Sequence, residues 1–166
     1  MKRLIAFVLL ICLSLSLLGC QKVMKGTDDL IAKAREDIPV ADAENIDITY
    51  AGLVGADEYA LIWFISGNAY QAHYYLPMGC KIVGRNAYTF EHAYKPYDRG
   101  NDVVAVQWRG GYAFLINNAN CTTLRFTDSN GTHYIKIEKE AYPFIYYSEE
   151  IPSEYYFLDA EGKGIP

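Results

Sequence analysis

His73, His92 and His133, with Cys80 and Cys121, are the metal- and redox-capable side chains in the body of this 166-residue chain. Each histidine falls in a stretch that reads as a strand, and none has a second ligand at zinc-helix or zinc-ribbon spacing. A three-histidine centre would need three separate strands to converge. A half-buried histidine donating to backbone or tyrosine needs only its own neighbours. Glu91 precedes His92, so in a strand the two point to opposite faces. The serines after residue 20, namely Ser66, Ser129, Ser148 and Ser153, have no base beside them in sequence. A Gly-x-Ser-x-Gly elbow, a His-Glu-x-x-His helix and a glycine-rich phosphate loop are all missing. Asp128-Ser129-Asn130-Gly131 and Asp159-Ala160-Glu161-Gly162 set oxygen ligands ahead of a glycine, as calcium loops do. Both lack the later bidentate glutamate of an EF-hand and read as turns. No catalytic constellation, resident metal or cofactor follows from these residues.

Tyrosine is the anomaly, with fifteen in the chain and pairs at Tyr74-Tyr75, Tyr146-Tyr147 and Tyr155-Tyr156. Neighbours in a strand point to opposite faces, so each pair places one ring inward and one outward. Tyr75, Tyr134 and Tyr146 are the rings expected to face out. An outward tyrosine offers flat apolar area with a polar tip, which suits protein interfaces and sugar faces. The plainer reading is that tyrosine favours strands.

The elements that must carry these rings are mostly strands. Thr27 to Ile38 has Leu30, Ile31, Ala34 and Ile38 on one side, acidic Asp28 and Asp29 at its start and Pro39 as a stop, which predicts one short amphipathic helix. Asn45 to Tyr50 alternates with period two. Tyr59 to Ile65 is apolar on both faces and reads as a central strand between the helix and further core. Tyr70 to Leu76, Ala87 to Tyr94, Asp102 to Trp108, Gly111 to Ile116, Thr122 to Thr127 and His133 to Glu138 follow as strands. Tyr142 to Tyr147 and Tyr155 to Leu158 add edge segments. Arg109-Gly110 and Ser129-Asn130-Gly131 have hairpin chemistry. With no helix patterns between strands, parallel crossovers are not expected. The predicted fold is mainly β, an antiparallel meander forming a sandwich or partly closed barrel with one N-terminal helix.

The first twenty residues carry a separate message. Met1-Lys2-Arg3 is cationic, and Leu4 to Leu18 holds no charge, a run too short to span a bilayer as a helix. Leu17-Leu18-Gly19-Cys20 resembles the lipobox of bacterial lipoproteins. The resemblance implies cleavage after Gly19 and diacylglycerol on the Cys20 thiol, with Leu18 bulkier than the residue often found there. Two acyl chains anchor stably, since each buried methylene contributes roughly 0.8 kcal/mol. The expected organisation is a leader at 1–19, a short polar tether at 20–26 and one exported domain at 27–166. That placement is the outer side of the cell membrane, or the periplasm where there are two membranes.

Charge and cysteine content bound the partners. Loss of Lys2 and Arg3 with the leader takes the side-chain balance from −5 to −7. Such a balance argues against nucleic acid and against a second electrostatic contact with anionic lipid. Cys12 leaves with the leader and Cys20 is the lipid site, so Cys80 and Cys121 remain in a compartment where disulfides persist. Pairing them would close a loop of about forty residues, worth roughly 4 kcal/mol on the chain-entropy account. Two buried free thiols are the alternative. The sequence therefore points to a lipid-anchored, non-catalytic binding module for an envelope protein, peptide or glycan. A dispersed hydrolase or transferase site around Glu91, His92, Asp98 and Asp102, and an inhibitor-like cap on a larger complex, are the competing readings.

Overall fold

The computed structural model describes residues 22–37, 45–67, 74–98, 100 and 102–165. The leader, Cys20, Pro39 and His73 lie outside them. The chain enters as β1 (Val23–Lys25) and passes directly into α1 (Gly26–Asp37). The backbone N–H of Lys25 donates to Asp29 Oδ2 at 2.8 Å, closing the turn between them. Leu30 and Ala34 form the buried side of the helix. The expected tether is thus partly a strand, because Met24 is 3% exposed beneath the helix and its backbone pairs with residues 87–89.

Three antiparallel sheets follow. The first is ordered β1, β5 (Ala87–Ala93), β4 (Tyr74–Gly84), β3 (Tyr59–Ser66), β2 (Ile48–Ala56), and β6 (Tyr97–Asp98) pairs with the start of β4. The second is β11 (Phe144–Ser148), β8 (Gly111–Ile116), β7 (Val103–Trp108). The third is β10 (Gly131–Lys136), β9 (Thr123–Asp128), β12 (Glu154–Leu158). The architecture is mainly β and sandwich-like, with no closed barrel.

Strand periodicity explains how the sheets stack. On β3, Ala60, Ile62 and Phe64 join the core under α1, while Leu61 and Trp63 join the core against the second sheet. This is the double-faced burial that an unbroken apolar run predicts. On β8, Ala113 and Leu115 face the first sheet, and Phe114 and Ile116 face the third. Helix and three sheets therefore form four layers around three cores. The third sheet is outermost.

Two strands run longer than alternation suggests. β2 continues to Ala56 because a bulge between Tyr50 and Gly52 resets which side chains face the core. β4 continues to Gly84 through Pro77, which sits where the neighbour of β4 changes from β6 to β5. A missing N–H is tolerated at such a junction.

Candidate functional site

The outer face of the third sheet carries the largest exposed rings of the described residues. Tyr134 on β10 and Tyr156 on β12 both register with Arg125 on β9, so the three form one row across the sheet. Strand spacing sets the two tyrosine backbones about 10 Å apart. Tyr134 is 63% exposed and Tyr156 42%. The Arg125 guanidinium lies over the Tyr156 ring, 4.3 Å from its centroid, and reaches Glu154 at 3.5 Å. Tyr156 Oη donates to Glu154 Oε2 at 3.1 Å. In the next row, Thr127 and Thr132 hydroxyls lie 3.1 Å apart, and Thr127 also donates to Glu154 Oε1 at 3.3 Å. A flat face of two rings, one guanidinium, two hydroxyls and one carboxylate results.

The inner side of the same sheet fixes this face in place. Leu124, Phe126 and Phe157 are buried against Phe114 and Ile116. His133 stacks on Phe126 with centroids 4.8 Å apart, and its Nε2 lies 2.9 Å from Asp128 Oδ1. That bond to His133 is the main reason the Asp128 carboxyl is held below its ordinary range. At the tip, Glu150 accepts from Asn130 Nδ2 at 3.0 Å and from the Ser129 hydroxyl, which ties the β9–β10 turn to the β11–β12 connection. The oxygen-bearing turns serve their own backbones. Asp128 Oδ1 accepts from Asn130 N at 2.8 Å, and Asp159 Oδ1 from Glu161 N at 3.1 Å and Lys163 N at 2.7 Å.

Of the three expected outward tyrosines, only Tyr134 lies on this face. Tyr75 is fully buried, its hydroxyl donating to Asp102 Oδ1 at 2.6 Å and accepting from Asn117 Nδ2 at 3.3 Å. The alternation that opposes it to Tyr74 and Leu76 holds, but the far side of the first sheet is a second core. Tyr146 points into the layer between the second and third sheets, 5.8 Å from Phe126. Tyr156 and Arg125 were not singled out from sequence. Their signal was present in the Thr-Leu-Arg-Phe-Thr and Tyr-Tyr-Phe alternations, but reading it requires knowing that this sheet is outermost.

Glu91, His92, Asp98 and Asp102 do not share a cleft. Glu91 pairs with Arg109 at 2.7 Å, and His92 packs edge-on against Tyr94. Asp98 registers with Tyr74 and His92 with Gly79, five residues apart on β4 or about 17 Å at strand rise. His92 and His133 lie on different sheets with the second sheet between them. Among the described residues no three His, Cys, Asp or Glu gather as metal ligands.

The expected Cys80–Cys121 disulfide is not formed. Both residues are buried free thiols, Cys80 under α1 and Cys121 between the second and third sheets. Two sheet spacings of about 10 Å separate those cores, beyond the roughly 7 Å between Cα atoms that a disulfide spans. Burial, with Glu91 adding to it, pushes the Cys80 thiol up to about 12, and burial also raises Cys121. Neither thiolate is accessible at neutral pH. Iodoacetamide should leave both unmodified in the native protein and alkylate both after denaturation without reductant, read by mass. An unmodified denatured protein would restore the disulfide.

No family model matches the chain, and searches of curated proteins and of solved structures find no match.

Proposed function

We propose that this chain is a lipid-anchored binding module of the cell envelope. Acylated Cys20 holds it on the outward side of the membrane, and the Tyr134–Arg125–Tyr156 row meets an envelope protein, peptide or glycan. The observation that carries the reading is this row itself, with two exposed rings and a guanidinium in register on the outermost sheet. Tyrosine and arginine are enriched among residues that dominate binding energy. Tyrosine brings large contact area with few torsions to order, and the planar guanidinium of arginine donates several hydrogen bonds and stacks on rings. The face is held from behind by a ring cluster, so little ordering remains to be done on association. The lipobox-like Leu17-Leu18-Gly19-Cys20 supplies the anchor reading.

The test purifies the full-length protein from its own envelope as wild type and as a Tyr134→Ala/Tyr156→Ala variant, with proteins and glycans both analysed. Wild type should retain a stoichiometric partner whose class identifies the ligand. Loss of one hot-spot ring costs about 2 kcal/mol or more, roughly thirty-fold in affinity, so the double variant should come through empty. Equal recovery of the partner by both proteins would remove this face from the function.

A further inference from the structure

The net charge of −7 left after loss of the leader conceals an uneven distribution. Lys22, Lys25 and Arg85 are all exposed, and none forms an ion pair among the described residues. Lys25 and Arg85 cluster by topology, while Lys22 lies on the helix side with Met24, in a groove it lines together with Asp29 and Glu36. Lys25 registers with Ala87, the first residue after the Arg85-Asn86 turn, and Gly26 N donates to Asn86 O at 3.2 Å. Two apolar side chains stand among them, Val23 at 41% exposed and Val83 at 48%. Val23 and Lys25 alternate with the buried Met24, so they face away from the helix. The acidic groups on that side of the sheet are engaged, Glu58 with Lys81 at 3.0 Å and Glu91 with Arg109 at 2.7 Å. Asp28 and Asp29 belong to the first turn of α1, on the side where Lys22 lies and away from the Lys25 and Arg85 side chains.

We infer that this corner, formed by β1 and the β4–β5 turn, is a membrane-docking surface for the anionic phospholipid headgroups around the protein's own anchor. The inference rests on the reading of Cys20 as the lipid site. Val23 is three residue steps from Cys20, and an extended chain covers at most about 10 Å in that length. The headgroup layer is itself about 5–7 Å deep on each side of the hydrocarbon core. Its negative potential persists for a Debye length, about 8 Å at physiological salt. An acylated Cys20 therefore leaves β1 no room to stand clear of the surface, and Lys25 and Arg85 are held where each gains from anionic lipid, with Lys22 next to the anchor in sequence. Val23 and Val83 supply small apolar contacts at the same depth. The overall acidic balance does not oppose this contact, because the carboxylates on the side of the sheet that Lys25 and Arg85 share are already paired.

The test places the protein purified from membranes into vesicles of phosphatidylcholine alone and of phosphatidylcholine mixed with phosphatidylglycerol. Amine acetylation is then read lysine by lysine by mass spectrometry. On the anionic vesicles Lys22 and Lys25 should react about five-fold more slowly than on neutral ones, with Lys139 and Lys163 unchanged. Arg85→Glu should reduce the protection of Lys25 while leaving the protein on both kinds of vesicle. Equal rates at Lys22 and Lys25 on the two surfaces, with the protein sedimenting with both, would overturn the docking surface and leave the anchor standing. Failure to sediment with the neutral vesicles would remove the anchor, and the docking surface with it.

Discussion

Replacing Phe114 by alanine is expected to cost about 3–5 kcal/mol of stability and to loosen the third sheet before the other two. Phe114 is fully buried and sits at the meeting point of four other rings. Its centroid lies 5.5 Å from Tyr112, 6.2 Å from Phe126, 5.4 Å from Tyr155 and 6.2 Å from Phe157, and Phe126 in turn contacts Tyr146. Alanine would leave a cavity lined by stiff, mutually packed rings that collapse poorly. Such sites fall at the high end of large-to-small substitutions. Phe114 is also, with Ile116, a fully buried side chain through which the second sheet holds the third, so the loss is directional. Denaturant unfolding followed by native-state hydrogen exchange reads both parts. Amides of β9, β10 and β12 should lose protection while those of β3 and β4 keep theirs. Uniform loss across all three sheets would show that the layers unfold as one unit. Local opening would also blunt the Tyr134–Arg125–Tyr156 face, since its flatness depends on Phe126 and Phe157 staying seated.

The strands were legible because the relevant physics is local. Period-two alternation, glycine and asparagine at hairpin turns and an apolar run at Tyr59 to Ile65 each belong to a few consecutive residues. Their limits are instructive. Ala51-Gly52-Leu53 breaks the alternation with a bulge, and β4 runs through Pro77 to Gly84, beyond the expected end at Leu76. Helix boundaries came within a residue at the N-terminal end, where Asp28 and Asp29 mark the first turn.

Stacking order was not legible, and every misplacement of a site residue follows from that. Alternation states which side chains oppose each other but not which faces meet solvent. Tyr75 and Tyr134 have the same local signature, yet one fills the core between the first two sheets and the other stands on the outermost face. Cys80 and Cys121 are both apolar-core cysteines by their neighbours in sequence, and only the layer between them forbids a bond. The Tyr134–Arg125–Tyr156 face exists because β9 gathers one neighbour from β10 and another from β12, across the intervening β11. That adjacency belongs to topology, and no short window contains it.

Gly111→Ala tests how closely these layers are drawn together, and it should be the most damaging of the conservative substitutions. A Cβ at Gly111 would overlap the Ser148 carbonyl oxygen and lie 2.6 Å from Tyr147 Oη and 2.7 Å from its ring carbon Cζ. The first of these partners is backbone on β11, which registers with β8 from Phe144 to Ser148 and cannot retreat without giving up that pairing. Tyr147 is equally committed, its hydroxyl donating to Arg109 O at 3.0 Å and its ring set against Trp108. Overpacking of this kind costs about 1–3 kcal/mol when side chains can yield, and here a strand must yield instead. The expected loss is about 3 kcal/mol or more. Gly110→Ala is the internal comparison. That residue has φ 81° and no atom within 4 Å of its would-be Cβ, so only left-handed strain of about 1–2 kcal/mol applies. Adding Tyr147→Ala to Gly111→Ala should recover little, because the carbonyl overlap remains. Substantial recovery in the double variant, measured by denaturant unfolding, would show that the ring and not the strand sets the limit. Either ordering of Gly110→Ala against Gly111→Ala is informative. If Gly110→Ala proved the worse, turn conformation would govern the β7–β8 hairpin, and the close approach of β11 would be slack.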